Sequence, residues 1–400
     1  MGKRAFILLA VLLAALVLAW LSRHPQPSGS LIAVADGEAL APRLSADDPD
    51  RPPILSWLEH RHDESALFYA PILEGRLGDA IEVARGRGWF VNWADRPAVR
   101  ITSDGLTVAH WIERSGKQPY AYGIRIALAA DGGAFAPPFS PHPWLPSEFG
   151  FASHLRWPDG TLGLVWLDGR ALGEQAGEGA MQLRHAAFDR RGRLLREEVL
   201  DDRVCECCST DALSTPQGPV VVYRGREEGE IRDIRLVRTR EGRWQAPITV
   251  HPDRWQIAAC PVNGPRIAVL GEGLAVAWFT AAEGRPRLLL AIAPTPEAPF
   301  ATPLEIAAGD DLLGRVALAA APDGRLWVSY LREAGKASFI ELRAYGPGGI
   351  ERPRETVAKA AGRRAGFPEL AYHPREGLWA AWTVERDGRR AIELRRLAGP

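Results

Sequence analysis

The sequence predicts an all-β protein, a seven-bladed β-propeller of four-stranded blades, and three observations predict it. A turn followed by alternating apolar residues and a closing aromatic occurs seven times, ending at Trp57, Trp111, Trp166, Tyr223, Trp278, Tyr330 and Trp382. The steps between these aromatics are 54, 55, 57, 55, 52 and 52 residues. A period near 50 carrying about four period-two segments per copy is the signature of propeller blades. The third observation is an unmatched apolar segment, SLIAVA at 30–35, ahead of a last copy with too few residues left for its fourth strand.

Each element follows from its residues. The motif reads SDGLTVAHW, PDGTLGLVW, GEGLAVAW or PREGLWAAW, a turn and then a half-buried strand. A short apolar strand such as RIAVL at 266–270 precedes it, and an alternating one such as YGIRIALA at 122–129 follows. A last strand such as APITVH at 246–251 completes the unit. The 40 glycines and 32 prolines supply the turns, and 46% hydrophobic residues supply the core. If 30–35 pairs as the outer strand of the last blade, the ring closes without an exposed edge. The propeller then spans 31–400.

Residues 5–21, AFILLAVLLAALVLAWL, lie between Lys3-Arg4 and Arg23 and form an apolar run. They read as a signal anchor over 1–24, with a Pro/Ser linker at 25–30, tethering an exported domain to the inner membrane on its periplasmic side. A cleaved signal peptide, leaving a soluble periplasmic or secreted protein, is the alternative. The 49 basic residues balance 49 acidic ones, so nothing points to nucleic acid as a partner. The oligomeric state is not legible.

Propeller geometry gathers on one face the loops that lead into the innermost strands and those between second and third strands. The residues there are Asn92, Trp93 and Asp95, Glu148, Tyr122, Asp168 and Arg170, Arg224 and Arg226, His251, Trp255 and Asn263, and Arg315. They point to a small-molecule or glycan ligand, although Trp93 or Trp255 taken singly reads as a packing wedge. Cys205, Cys207 and Cys208 in VCECC and Cys260 in ACPVNGP fall on the same face, in adjacent blades. A disulfide from one of the three to Cys260 is the first reading in an oxidising compartment. A soft-metal site for copper(I) or zinc, with His251 nearby and otherwise no cofactor, is the second.

The turns ALAADGGAFAPP (Asp131, Gly132, Gly133, Phe135) and RTREGRWQAP (Glu241, Gly242, Trp244) resemble the Asp-box of the sialidase (neuraminidase) superfamily. The resemblance, to exported bacterial BNR-repeat propellers, covers about residues 40–400. It implies a six-bladed alternative to the seven counted, and an exo-α-sialidase-type glycoside hydrolase as one possible activity. It also implies a tyrosine nucleophile with a glutamate partner, an acid/base aspartate and three arginines that clamp a carboxylate. Tyr122, Glu148 and Asp95 are the matching catalytic candidates, and Arg170, Arg224, Arg226 and Arg315 the matching arginines. The family's Phe/Tyr-Arg-Ile-Pro motif is missing; LAPRLSADD, with Arg43, stands in its place. The reading this leaves foremost is a binding or scaffolding module that works through its cysteine-bearing face.

Overall fold

The computed structural model describes residues 29–33, 36–130, 132–173, 179–335, 337–346, 349–360 and 365–400. The apolar run at 5–21, the linker up to residue 28, and Asp131 lie outside the described residues. Among the described residues no helix is long and apolar enough to cross a membrane.

Seven antiparallel sheets follow one another along the chain, one for each aromatic repeat. Their innermost strands are Glu38–Ser45, Ala98–Ile101, Phe149–Arg156, Asp211–Thr215, Arg266–Leu270, Leu312–Ala320 and Glu369–His373. The six-bladed alternative is thereby excluded. The ring closes as the strand count requires: Gly29–Ile32 pairs with Arg389–Ala398, Ser30 opposite Leu394 and Ile32 opposite Ile392. The second blade departs slightly. Its sheet has three strands, and the segment at Phe139, exchanging both backbone hydrogen bonds with Ile126, covers its outer edge.

The repeated aromatics occupy one structural position. Trp57, Trp111, Trp166, Tyr223, Trp278, Tyr330 and Trp382 are all at most 2% exposed and pack between neighbouring blades. An aromatic burying about 200 Å² contributes on the order of 5 kcal/mol relative to exposure, so the period in the sequence is a period in the core. Buried indoles need a partner for N–H, and Trp111, Trp166 and Trp278 donate to Glu113, Asp168 and Asp253 at 2.8, 2.8 and 2.6 Å. The Asp-box-like turn at Glu241-Gly242 is a two-residue hairpin with φ of +51° and +73°, which is why glycine stands there. It directs Trp244 against Trp157 and His185 of the preceding blade.

The innermost strands run from the cysteine-bearing face to the opposite one and surround an axial cavity of about 610 Å³. A charged cluster lies at its deep end. Glu369 receives Arg96 Nη1 at 2.8 Å and Arg266 Nη2 at 3.0 Å, with Arg43 Nε at 3.6 Å. Burial opposes the charge on Glu369, but the three guanidinium groups prevail and hold its carboxyl at about 2. Three arginines do converge on a carboxylate, then, and it is the protein's own.

Candidate functional site: four thiols on one face

The loop from Asp201 to Asp211 is fastened to both blades it joins. Val204 N donates to Met181 O at 2.9 Å in blade three, and Cys205 N to Arg224 O at 3.0 Å in blade four. Glu206 accepts from Arg232 Nη1 at 2.7 Å and pairs with Arg226, while Glu230 accepts from Arg226 Nη2 at 2.6 Å and Arg232 Nη2 at 2.7 Å. This two-arginine, two-glutamate lattice holds the first loop in place.

Arg224 brings the second loop to it. Its guanidinium is 1% exposed, lies 4.8 Å from the Trp255 ring centroid, and donates to the carbonyls of Arg232, Asn263 and Phe279 at 2.6, 2.9 and 2.7 Å. Asn263, three residues after Cys260, is thereby tied to blade four. Its own amide accepts Arg315 N at 2.7 Å and donates to Leu313 O at 3.3 Å, linking blade six as well. Asp233 adds backbone bonds from Arg254 and Trp255 at 3.0 and 3.1 Å.

The result is a cluster of sulfur. Cys205 Sγ is 2.9 Å from Cys208 Sγ and 4.0 Å from Cys207 Sγ, and all three lie within 4.8 Å of one another. Cys260, on the loop of the neighbouring blade, lies close enough to Cys207 for each thiol to shift the other's ionisation. All four are free thiols, and no pair stands at the roughly 2.05 Å of a disulfide, so the expected disulfide is not formed. Cys205 and Cys208 are buried, Cys207 is partly buried and Cys260 is exposed. Burial works against ionising Cys205, yet hydrogen bonds from Cys207 and Cys208 and the charge of Arg224 hold its thiol well below the usual range. Arg232 Nη1 completes the surroundings at 3.3 Å from the same sulfur.

Beside this cluster lies a second group. Tyr122 Oη donates to Glu148 Oε1 at 2.5 Å, and the ring stacks on Phe90 at 4.1 Å. Asp95 accepts Phe151 N at 2.9 Å through one oxygen, while the other is buried without a partner. Gly150 makes room for them: a Cβ there would come within 1.9 Å of Asp95 Oδ2 and 3.2 Å of the Tyr122 ring. Desolvation raises Asp95 to about 7, with Glu148 adding to it. Desolvation also raises Glu148 to about 6, and the charge of Glu206, on the cysteine loop, pushes in the same direction. Burial and Glu148 push Tyr122 far up, so its hydroxyl stays protonated.

The remaining predicted residues serve the scaffold. Asn92 Oδ1 closes a turn by accepting the N–H groups of Ala94 and Asp95, both at 2.7 Å. Asp168 is fully buried between Trp166 and Arg170, and Arg170 also pairs with Glu197 at 2.7 Å. Trp93 stacks on Phe367 and under Arg315, whose Nη1 donates to Gly366 O at 2.9 Å. His251 pairs with Asp253 at 2.8 Å. Arg170, Arg224, Arg226 and Arg315 therefore do not form the expected clamp; each is engaged by a different set of the protein's own groups. Sequence reasoning missed Arg232 and Glu230, whose one legible sign was the dense alternation of charge in RGREEGEIRD, and Glu206, which sits between the cysteines of VCECC.

No protein-family model matches the chain, and no curated protein is similar to it in sequence. Solved structures are similar in shape. A polysaccharide lyase of family PL25, an ulvan lyase with bound sugar, superposes with a TM-score of 0.54 at 9% identity, covering 91% of this chain and 94% of that one. An oligogalacturonate lyase in complex with manganese gives 0.47 at 11%, covering 91% and 99%. A subtype N10 neuraminidase-like protein of A/little yellow-shouldered bat gives 0.41 at 11%, covering 93% and 100%. What this chain shares with the ulvan lyase is the fold alone, and no particular sialidase family is marked out.

Proposed function

We propose that the protein binds a soft, thiophilic metal ion, copper(I) foremost, through Cys205, Cys207, Cys208 and Cys260. The convergence of three free thiols, Cys205, Cys207 and Cys208, within 4.8 Å of one another, with Cys260 of the next blade on the Cys207 side, carries this reading. Thiolates select copper(I) and zinc, and the C-x-C-C spacing departs from the C-x₂₋₄-C of zinc sites. Arg232 and Arg224 supply positive charge where a metal–thiolate set carries excess negative charge. The loops are already in place through Arg224 and the Glu206–Arg232 lattice, so the ion would find a prepared site. Competition titration of the reduced protein against a copper(I) chelator tests this, with a zinc titration in parallel. One copper(I) per chain supports the reading; one zinc held in preference reassigns the ion, and no binding removes the reading.

A second reading is favoured by one observation, the 2.5 Å hydrogen bond between Tyr122 and Glu148 with Asp95 nearby. It is a sialidase-type hydrolysis with Tyr122 as nucleophile, against which stands the engagement of Arg170, Arg224, Arg226 and Arg315 by separate groups of the protein itself. Release of fluorophore from a sialoside, lost in Tyr122→Phe, would support it, and no release removes it. For location, the apolar run at 5–21 supports export and anchoring in the inner membrane. Protease accessibility of the propeller in spheroplasts tests that.

A further inference from the structure

Resting on the thiolate-metal reading, we infer that this site passes its ion on rather than keeping it, and that Cys260 is the ligand through which the ion enters and leaves. The four cysteines are not equivalent. Cys205 and Cys208 are 0% and 1% exposed, on a loop pinned by backbone bonds to two blades and by the Glu206, Glu230, Arg226 and Arg232 lattice. Cys260 is exposed, as are Ala258 and Ala259 before it, and these three make no backbone hydrogen bond among the described residues. Fixed points flank that short stretch: Ile257 N donates to Glu230 O at 2.9 Å, and Asn263 O is held by Arg224. Cys260 thus sits on a tethered segment at the solvent side of an anchored three-thiol pocket.

A site that only stabilises a fold buries its ligands and closes its coordination shell. Here the loops are cross-linked by Arg224 and the ion lattice through the protein's own groups, and one ligand faces water. That arrangement suits associative ligand exchange. The Cys260 sulfur forms a bond to copper(I) as a bond from copper(I) to a donor's sulfur breaks. The proton of the Cys260 thiol goes to the departing sulfur, and the copper stays in the +1 state. Bonds to Cys207, Cys205 and Cys208 then form inward, and their thiol protons go to water. Delivery is the reverse. The partner chemistry is that of a carrier presenting thiolate ligands.

Stopped-flow transfer on the full chain tests this, with the copper(I)–glutathione complex as donor and bathocuproine disulfonate as acceptor. In Cys260→Ser we expect one copper(I) per chain to be retained with affinity within about tenfold of the parent, while transfer in both directions slows by at least about tenfold. In Cys208→Ser we expect affinity itself to fall by roughly a hundredfold or more. Equal affinity losses in the two variants, or transfer at the parental rate in Cys260→Ser, would overturn the inference and leave metal binding standing. A parent protein that binds no copper(I) would overturn both.

Discussion

Arg232 Nη1 lies 3.3 Å from Cys205 Sγ while the same guanidinium spans Glu206 and Glu230, so one buried cation both holds the cysteine loop and faces one of its thiols. Replacing it with Met keeps the stem and removes the charge. Arg232→Met should weaken copper(I) binding by about 10- to 100-fold, the usual cost of losing a partner of a metal ligand. Chelator competition reads the change, and circular dichroism checks that the sheet signal is retained. Unchanged affinity would show that Arg232 serves the loop alone.

Glu369 is the carboxylate on which Arg43, Arg96 and Arg266 converge, and its removal takes away the charge they share. Glu369→Gln should destabilise the fold by about 3–5 kcal/mol, the cost of breaking a buried ion pair from one side. Because its folded carboxyl is held at about 2 against an ordinary 4.5, its contribution is fully present above about pH 4.5 and is lost as pH falls through 2. The shift corresponds to about 3 kcal/mol. Urea midpoints of parent and variant at pH 7 and pH 3 measure both statements, with the gap narrowing at the lower pH.

Asp95 behaves in the opposite sense. Its folded carboxyl is raised to about 7, so the native state holds a proton that the unfolded chain releases near pH 4. Its contribution is therefore present at low pH and is lost between about pH 4 and 7, at up to roughly 1.4 kcal/mol per unit. Asp95→Asn should gain stability relative to the parent as pH is raised from 5 to 8. A constant difference between the two proteins across that range would show that Asp95 is ionised throughout.

Gly29–Ile32 is the strand that joins the two ends of the ring. Deleting the chain up to residue 33 should bare the edge at Arg389–Ala398, lower Tm and promote self-association, since an unpaired edge strand templates pairing. Differential scanning calorimetry and light scattering read the two effects. An unchanged Tm would show that the ring holds without this strand.

The fold was legible because its signal is repeated: seven aromatics at even spacing report seven equivalent interior positions, and Trp57 to Trp382 occupy them. Closure was legible too, from strand arithmetic at the ends of Ser30–Ala35 and Trp382. The site was legible only as a set of loops. Sequence placed Cys205, Cys207, Cys208 and Cys260 together, and likewise Tyr122 with Glu148, because adjacent blades bring equivalent loops together. Whether an arginine faces solvent or a carbonyl is decided by contacts remote in sequence. Arg224 reaches Asn263 and Phe279, 39 and 55 residues away, and no local pattern announces that. The absent disulfide has the same origin, since spacing fixes which sulfurs are close and not how their side chains are turned.

The claim on which the rest depends is that four free thiols hold one soft ion. X-ray absorption at the copper edge, on reduced full-length protein loaded with one equivalent of copper(I), tests it most directly. The account predicts a shell of three or four sulfur atoms and no nitrogen, lost in the Cys205→Ser/Cys208→Ser double variant. A first shell of nitrogen or oxygen, or a spectrum unchanged in that variant, would contradict it.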